Sequence, residues 1–306
     1  MSDPERFADA FNYAAYGGEQ VIIPSKLKPL NTVLVHASGK HDGSVGERRR
    51  DGLMGWQVMR DGRAAYALLG IEDQIRVDYA MPVRCMLYDA LSYMDQVEDL
   101  KRKNRKLGNL SPSEWLSGLR KSDKLLPVAT LVVHFGADEW DGPLSLDGML
   151  APADERLMAL VPEYQINLLT PSNLDDDDLS RFHTELGLVL GYIRYAQNKD
   201  KLAAYINSER RFRSVEAETA DLVNALTDSR LEYDPGKERV DMCKAIEDMR
   251  AEALGQGMQQ GMQQGMQQGA LKTLADLVRD GVLTLADAAA RAGMDPDEFR
   301  ARTSAL

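Results

Sequence analysis

The chain has 306 residues, 44% of them hydrophobic, and a formal net charge of −11. That length holds one full α/β core plus one or two smaller helical units, and the negative balance excludes a surface that attracts nucleic acid everywhere, so a polyanion would need a local basic patch. Cys85 and Cys243 are the only cysteines and lie in no metal-ligand spacing, which excludes a zinc site and fits a reducing compartment. The stretch Met1-Ser2-Asp3-Pro4-Glu5-Arg6 has no signal-peptide pattern and no apolar run could span a bilayer, so the expected location is cytoplasmic, with no membrane partner.

In chain order, Phe7, Ala10, Phe11 and Ala14 have helical spacing, and Gly17-Gly18 ends that helix. Thr32-Val33-Leu34-Val35 reads as a short strand. Leu53–Arg60 and Arg63–Gln74 read as two strands of a hairpin joined by Asp61-Gly62, the dipeptide that most favours a tight turn. Pro82 opens a helix whose apolar stripe is expected at Val83, Leu87, Ala90, Met94 and Val97. A basic polar stretch, Lys101 to Lys106, follows. Pro127–Phe135 is a continuous apolar run, expected as a strand buried on both faces. Gln165–Leu169 is expected as an edge strand. A helix then starts near Asn173, with Asp175–Asp178 complementing its dipole and Leu179, Phe182, Leu186, Val189 and Ile193 on its buried face. Further helices are expected near 199–210, 215–227 and 238–254.

The tail has another character. Gly-Met-Gln-Gln repeats three times from Gly257, and a glycine every four residues weakens a helix at each occurrence. A flexible linker is the plainer reading, with one long weak helix or self-association through small residues as alternatives. Leu283–Asp295 has the outline of a helix-turn-helix, a shape that mostly belongs to ordinary helical hairpins. The organisation expected is therefore a core at 1–170, a helical extension at 171–254, the repeat at 255–270 and a small helical hairpin at 271–306.

The hairpin carries the chemistry. If Asp61 and Gly62 are its only loop residues, Arg60 faces Arg63, and counting outward in step brings Asp51 opposite Glu72. The two carboxylates would share a sheet face with Cβ atoms roughly 5 Å apart. Like charges so placed call for a cation between them, and a divalent ion with hard oxygen ligands is the natural candidate. Glu72 and Gln74 point to one face and Asp73 to the other. Each residue also has a plainer role: Asp51 as a turn residue, Glu72 in an ion pair with Arg49 or Arg84, Gln74 as a satisfied polar group. Arg84 and Tyr88, one helical turn apart, could hold a phosphate or brace the helix. Lys101, Arg102 and Lys103 could track a DNA backbone or be solvated. His36, His41, His134 and His183 share no spacing, and His134 reads as a core residue.

An Asp after an arginine pair (Arg49-Arg50-Asp51), a strand ending Glu72-Asp73-Gln74, and the segment Asp78-x-x-Met81-Pro82-x-Arg84-x-x-x-Tyr88 resemble the PD-(D/E)XK nuclease superfamily. Within it, the closer likeness is to the recombination-promoting nuclease (Rpn) group, also labelled a putative transposase family. Leu126-Pro127, Gly136, Trp140 and the Gly/Gln repeat fit that likeness, which covers most of residues 1–270. It implies an α/β, restriction-endonuclease-like mixed sheet flanked by helices, with a helical C-terminal extension. It also implies a metal-dependent endonuclease acting on DNA, at home in the nucleoid and linked to recombination or mobile elements. Asp51, Glu72 and Gln74 would then be catalytic. Asp51, Glu72 and the Asp73 carbonyl would hold Mg²⁺ or Mn²⁺, Arg84, Tyr88 and Lys101–Lys103 would meet DNA, and a homodimer is expected. Gln74 stands where most of the superfamily has lysine, so turnover should be slow. Asp9 is the one candidate for the acid that the first helix often adds. Two rivals remain: a catalytically silent DNA-binding scaffold, and a helical oligomerisation module whose active part is the tail.

Overall fold

The computed structural model describes residues 3–30, 33–37, 45–49, 51–60, 63–227, 229, 231–234 and 236–303, with side chains described except at 33–37, 45–49, 57–60, 63–68, 72, 248–250, 252 and 253. The chain divides into two compact units, one of residues 1–230 and 234–241, the other of residues 231–233 and 242–306.

In the first unit, α1 (Pro4–Tyr16) starts at the N-cap Asp3 and ends at Gly17. Then come β1 (Leu27–Pro29), β2 (Val33–Ala37), β3 (Val45–Arg49), β4 (Gly52–Arg60), β5 (Arg63–Gln74), α2 (Met81–Leu107), α3 (Pro112–Ser117), β6 (Val128–His134), α4 (Glu155–Met158), β7 (Asn167–Leu169), α5 (Asp176–Ser180), α6 (Leu186–Tyr195), α7 (Lys199–Ser208), β8 (Val215–Glu216), α8 (Ala217–Thr227) and β9 (Arg239–Val240). Five strands form one mixed sheet in the order β1-β4-β5-β6-β7. The β1-β4-β5 side is antiparallel and the β5-β6-β7 side parallel. This is the restriction-endonuclease-like α/β arrangement expected, with helices on the sheet. The Thr32–Val35 strand pairs only with β3, in a separate antiparallel hairpin that the sequence pattern did not announce; Thr32 itself lies outside the described residues.

The two sheet faces bury different helices. On one face Met81 and Cys85 of α2 pack with Val132 and Ile166. On the other, Phe7 of α1 sits against Gly52, whose Cβ position would be 3.3 Å from the ring. The α2 stripe expected from apolar spacing is off by part of a turn. Val83 and Met94 are exposed, and the buried side is Met81, Cys85, Tyr88 and Ser92. Polar pairs fasten this side to the sheet: Thr130 Oγ1 donates to Asp89 (2.6 Å), Tyr164 Oη donates to its other oxygen (2.7 Å), and the Val128 amide donates to Tyr93 Oη (3.1 Å). A hydrogen-bonded helix face has no apolar periodicity to read. The Lys101–Lys106 stretch is the last turns of α2, not a loop.

The helix expected from Asn173 is two helices. Asp175 and Asp178 form a capping box for α5, and α6 begins anew at Leu186. Leu179, Phe182, Leu186, Val189 and Ile193 are all buried, as their spacing required.

In the second unit, α9 (Met242–Arg279) runs unbroken through the Gly-Met-Gln-Gln repeat, so the flexible-spacer reading gives way to one long helix. Met and Gln are good helix formers, and a helix already nucleated on both sides propagates through the costly glycines. Beyond it α10 (Leu285–Ala292) and α11 (Pro296–Thr303) turn at Gly293. Ala288, Ala289 and Phe299 form their core with Leu271, Leu274 and Val278 of α9. No described helix is long and apolar enough to cross a membrane.

Candidate functional site

The β4–β5 ladder runs from Arg60↔Arg63 to Gly52↔Ile71 without a slip. Asp61 and Gly62 lie outside the described residues, but the closing pair leaves only those two for the loop. The paired register ends at Gly52↔Ile71, one residue short of Asp51 and Glu72. Here β4 ends and β5 continues to Gln74, pairing on its other side with β6 through Glu72↔Val132, Asp73↔Val133 and Gln74↔His134.

The overhang has a chemical consequence. The Phe135 amide donates to the Gln74 carbonyl at 2.7 Å, so the main-chain groups of Gln74 point at β6. Those of Asp73, one residue back, point the other way, toward the β4 side. There Asp51 Oδ2 accepts the Asp73 amide at 2.9 Å. The Asp73 carbonyl therefore faces the same side as an exposed carboxylate. The Glu72 side chain lies outside the described ones. Among the described residues no three His, Cys, Asp or Glu side chains converge on one point. The donors on this side are the Asp51 carboxylate and the Asp73 carbonyl, hard oxygens of the kind that suit Mg²⁺ or Mn²⁺ rather than zinc.

The Asp73 side chain belongs to the other face. It lines a cavity of about 220 Å³ with Arg6, Phe135, Leu186, Val189 and Leu222. Burial, with the Asp51 charge adding to it, pushes the Asp73 carboxyl up to about 6. Register places Gln74 beside His134, a neighbour that sequence reading missed because the two are 60 residues apart. His134 is a core residue as expected. Burial pushes its imidazole pKa down against the opposing pull of the Asp138 and Gln74 backbone. Trp140 meets its ring edge-on at 5.3 Å. Gly136 leaves room for it, since a Cβ there would be 2.4 Å from His134 Nε2. The Gly136 and Trp140 of the family pattern thus seat the strand end that carries Gln74.

The Asp78–Tyr88 segment is a helix-start module. Asp78 accepts from the Ala80 amide (2.9 Å) and from Arg84 Nη1 (2.7 Å), Met81 is fully buried, and Arg84 lies 5.9 Å over the Tyr88 ring. Arg84 braces the helix through Asp78, and Tyr88 is buried. Lys101 and Arg102 pair with Glu98 and Asp99 on their own helix. With Lys103 they are about 30 Å along α2 from its start at 1.5 Å per residue, and are not brought to the hairpin. Asp9 is not available to a metal either. It is 2% exposed and accepts from the amides of His183 (3.0 Å) and Thr184 (2.8 Å) and from Thr184 Oγ1 (2.6 Å), fixing the connection between α5 and α6.

A mixed sheet flanked by helices, with a carboxylate held where a central hairpin strand ends, agrees with the PD-(D/E)XK/Rpn group, to which the matching family belongs. Residues 48–222, more than half of the chain, match the model of the family described as "Putative transposase, YhgA-like", and the chain belongs to that family. No curated protein and no solved structure matches it.

Proposed function

We propose that the chain is a metal-dependent endonuclease that hydrolyses DNA phosphodiesters. The observation that carries this reading is the Asp51 carboxylate bonded to the Asp73 amide where β4 ends, with Glu72 the next residue of β5 after the last pair of the ladder, Gly52↔Ile71. Asp51, the Asp73 carbonyl and Glu72 are the groups that would hold Mg²⁺ or Mn²⁺. Such an ion supplies Lewis acidity to a phosphate oxygen and lowers the pKa of a bound water. Asp51 is held in place by its bond to the Asp73 amide, so its orientation does not depend on the ion. Gln74 hydrogen-bonds and orients the attacking water, but an amide cannot take the proton or carry a positive charge. Buried, neutral His134 fixes the strand position beside Gln74. Turnover is accordingly slow.

Nicking of supercoiled plasmid with Mg²⁺ or Mn²⁺ tests the reading. The wild type is expected to nick and to stop when EDTA is added, and Asp51→Ala is expected to bind DNA without cutting. A purified wild type that binds DNA and never cuts with either metal would establish the silent-scaffold alternative.

A further inference from the structure

The end of α2, α3 and the loop to Lys124 form a small lobe built around one buried amide. Asn104 Nδ2 donates to the Gly118 carbonyl (3.1 Å) and to Asp123 Oδ2 (2.6 Å), and its Oδ1 accepts from Arg120 Nε (3.3 Å). Arg120 also donates to the Gly108 carbonyl at 2.7 Å. Gly118 closes the lobe with φ +75°, and a Cβ there would be 2.5 Å from Lys101 Cγ, so two independent constraints demand glycine.

In a chain of net charge −11, residues 101–124 contain eight Lys and Arg against two acids, Glu114 and Asp123. Both acids serve the lobe itself. Glu114 accepts from the amides of Ser111 (2.9 Å) and Lys121 (3.1 Å), and Asp123 from the Arg120 amide (2.8 Å) and Asn104. Lys103, Arg105, Lys106, Lys121 and Lys124 are exposed and form no ion pair among the described residues. Beside this charge Trp115 is 68% exposed on a helix capped at both ends. Glu114, next to Trp115 in the chain, accepts the Lys121 amide, so the exposed ring lies close to the basic segment that holds Lys121 and Lys124. A large aromatic left in water beside a basic segment matches what an unpaired nucleic-acid strand offers: phosphates at regular spacing and bases with free faces.

We infer that this lobe is a binding surface for single-stranded nucleic acid, with Trp115 stacking on an unpaired base and the free lysines and arginines meeting phosphates. A duplex keeps its bases stacked on each other and offers Trp115 no face, so the surface favours single strands or opened DNA. An anionic membrane is the less fitting partner. An interfacial helix needs a long apolar face, and α3 has six residues with only Trp115 and Leu116 prominently exposed. The choice of DNA as the strand rests on the endonuclease reading; the polyanion chemistry does not.

Fluorescence anisotropy of the full chain with a labelled thymidine oligonucleotide of about 30 nucleotides, longer than the ~4–16 that one binding platform covers, tests this in EDTA, where hydrolysis plays no part. Trp115→Ala is expected to weaken single-strand binding about tenfold and leave duplex binding nearly unchanged. Lys121→Glu with Lys124→Glu is expected to weaken both, and to flatten the salt dependence by about 0.7 in log–log slope for each phosphate no longer neutralised. Asn104→Ala, which dissolves the lobe, should reproduce the weakening in a chain whose remaining core still melts cooperatively. Wild-type affinity in all three variants would overturn the inference, as would loss of binding to phosphatidylserine vesicles with DNA binding intact. A wild type that cuts plasmid while these variants bind and cut normally sinks the lobe and leaves the endonuclease standing. Weakened binding as expected, in a chain that never cuts, does the reverse.

Discussion

Asp9 and Asp51 are both acids whose carboxylates accept main-chain amides, and their surroundings differ in every respect that matters. Asp9 is buried, and two amides and a hydroxyl saturate it at the α5–α6 junction. Asp51 is exposed, and among the described residues its carboxylate accepts the Asp73 amide where β4 ends. A buried carboxylate with its donors supplied is a structural anchor. An exposed one that a main-chain amide orients can still take a cation. The difference between the regions is made by strand length: β5 outruns β4 at one end, and no such overhang exists where α1 meets α6.

The largest expected effect tests the open end of the hairpin. Asp51→Asn keeps an acceptor for the Asp73 amide and removes the charge. Single-turnover plasmid nicking should fall at least about 100-fold, while the urea unfolding midpoint stays at the wild-type value. Asp9→Ala should do the opposite. It strips three hydrogen bonds from the buried α5–α6 junction, at a cost of about 3 kcal/mol in unfolding free energy, while the fraction that remains folded nicks at the wild-type rate. A folded, stable Asp9→Ala that has lost nicking would erase the distinction and put Asp9 into the metal site.

How much of this could be read from the chain itself follows from the range of the interactions. The hairpin register was legible because Asp61-Gly62 favours one loop length, and every pair from Arg60↔Arg63 down to Gly52↔Ile71 follows from it. The β6 core strand was legible from its unbroken apolar run. Asp9 was not, because the amides it caps are 174 and 175 residues away. The face of α2 was misread because Tyr88, Asp89, Ser92 and Tyr93 meet the sheet or their own helix through polar atoms, while Val83 and Met94 are left in water. The repeat in α9 was misread from local propensity, which charges each glycine separately and omits the cooperativity of a helix nucleated on both sides. His134 came beside Gln74 only through a parallel pairing across the whole of α2.

A smaller effect separates the two faces of the strand end. The folded-state pKa of Asp73 lies at about 6, above the ordinary carboxyl value of 3.8, because burial and the Asp51 charge disfavour ionisation. Between these values the folded chain holds a proton that the unfolded chain has released. The stabilisation is therefore complete below the lower value and is lost as pH rises through the upper one, by about 2 kcal/mol after discounting for partial exposure. Asp73→Asn cannot ionise. The difference in unfolding free energy between variant and wild type, measured by urea titration in EDTA, should grow in favour of the variant from about pH 4 to 7. A flat difference would mean that the cavity is wetter than its lining implies. The carbonyl of residue 73 is untouched by this exchange, so nicking with metal should persist.

The smallest effect concerns Arg84, which resembles Asp9 in being engaged and Asp51 in being near the surface. Its bridge to Asp78 is partly exposed on both sides, 35% and 28%, and such pairs are worth at most about 1 kcal/mol. Arg84→Gln should shift the unfolding midpoint by no more than that and leave the dependence of nicking rate on DNA concentration within about twofold. Were Arg84 to leave Asp78 for a phosphate when DNA arrives, the same substitution would raise the half-saturating DNA concentration severalfold and lower its salt dependence, because one counterion-releasing group would be gone. The bonds Asp78 already makes argue against that exchange. Its carboxyl is held below the usual range, against burial, by Arg84 and by the Ala80 amide, so withdrawing Arg84 would weaken the start of the helix that follows the candidate site.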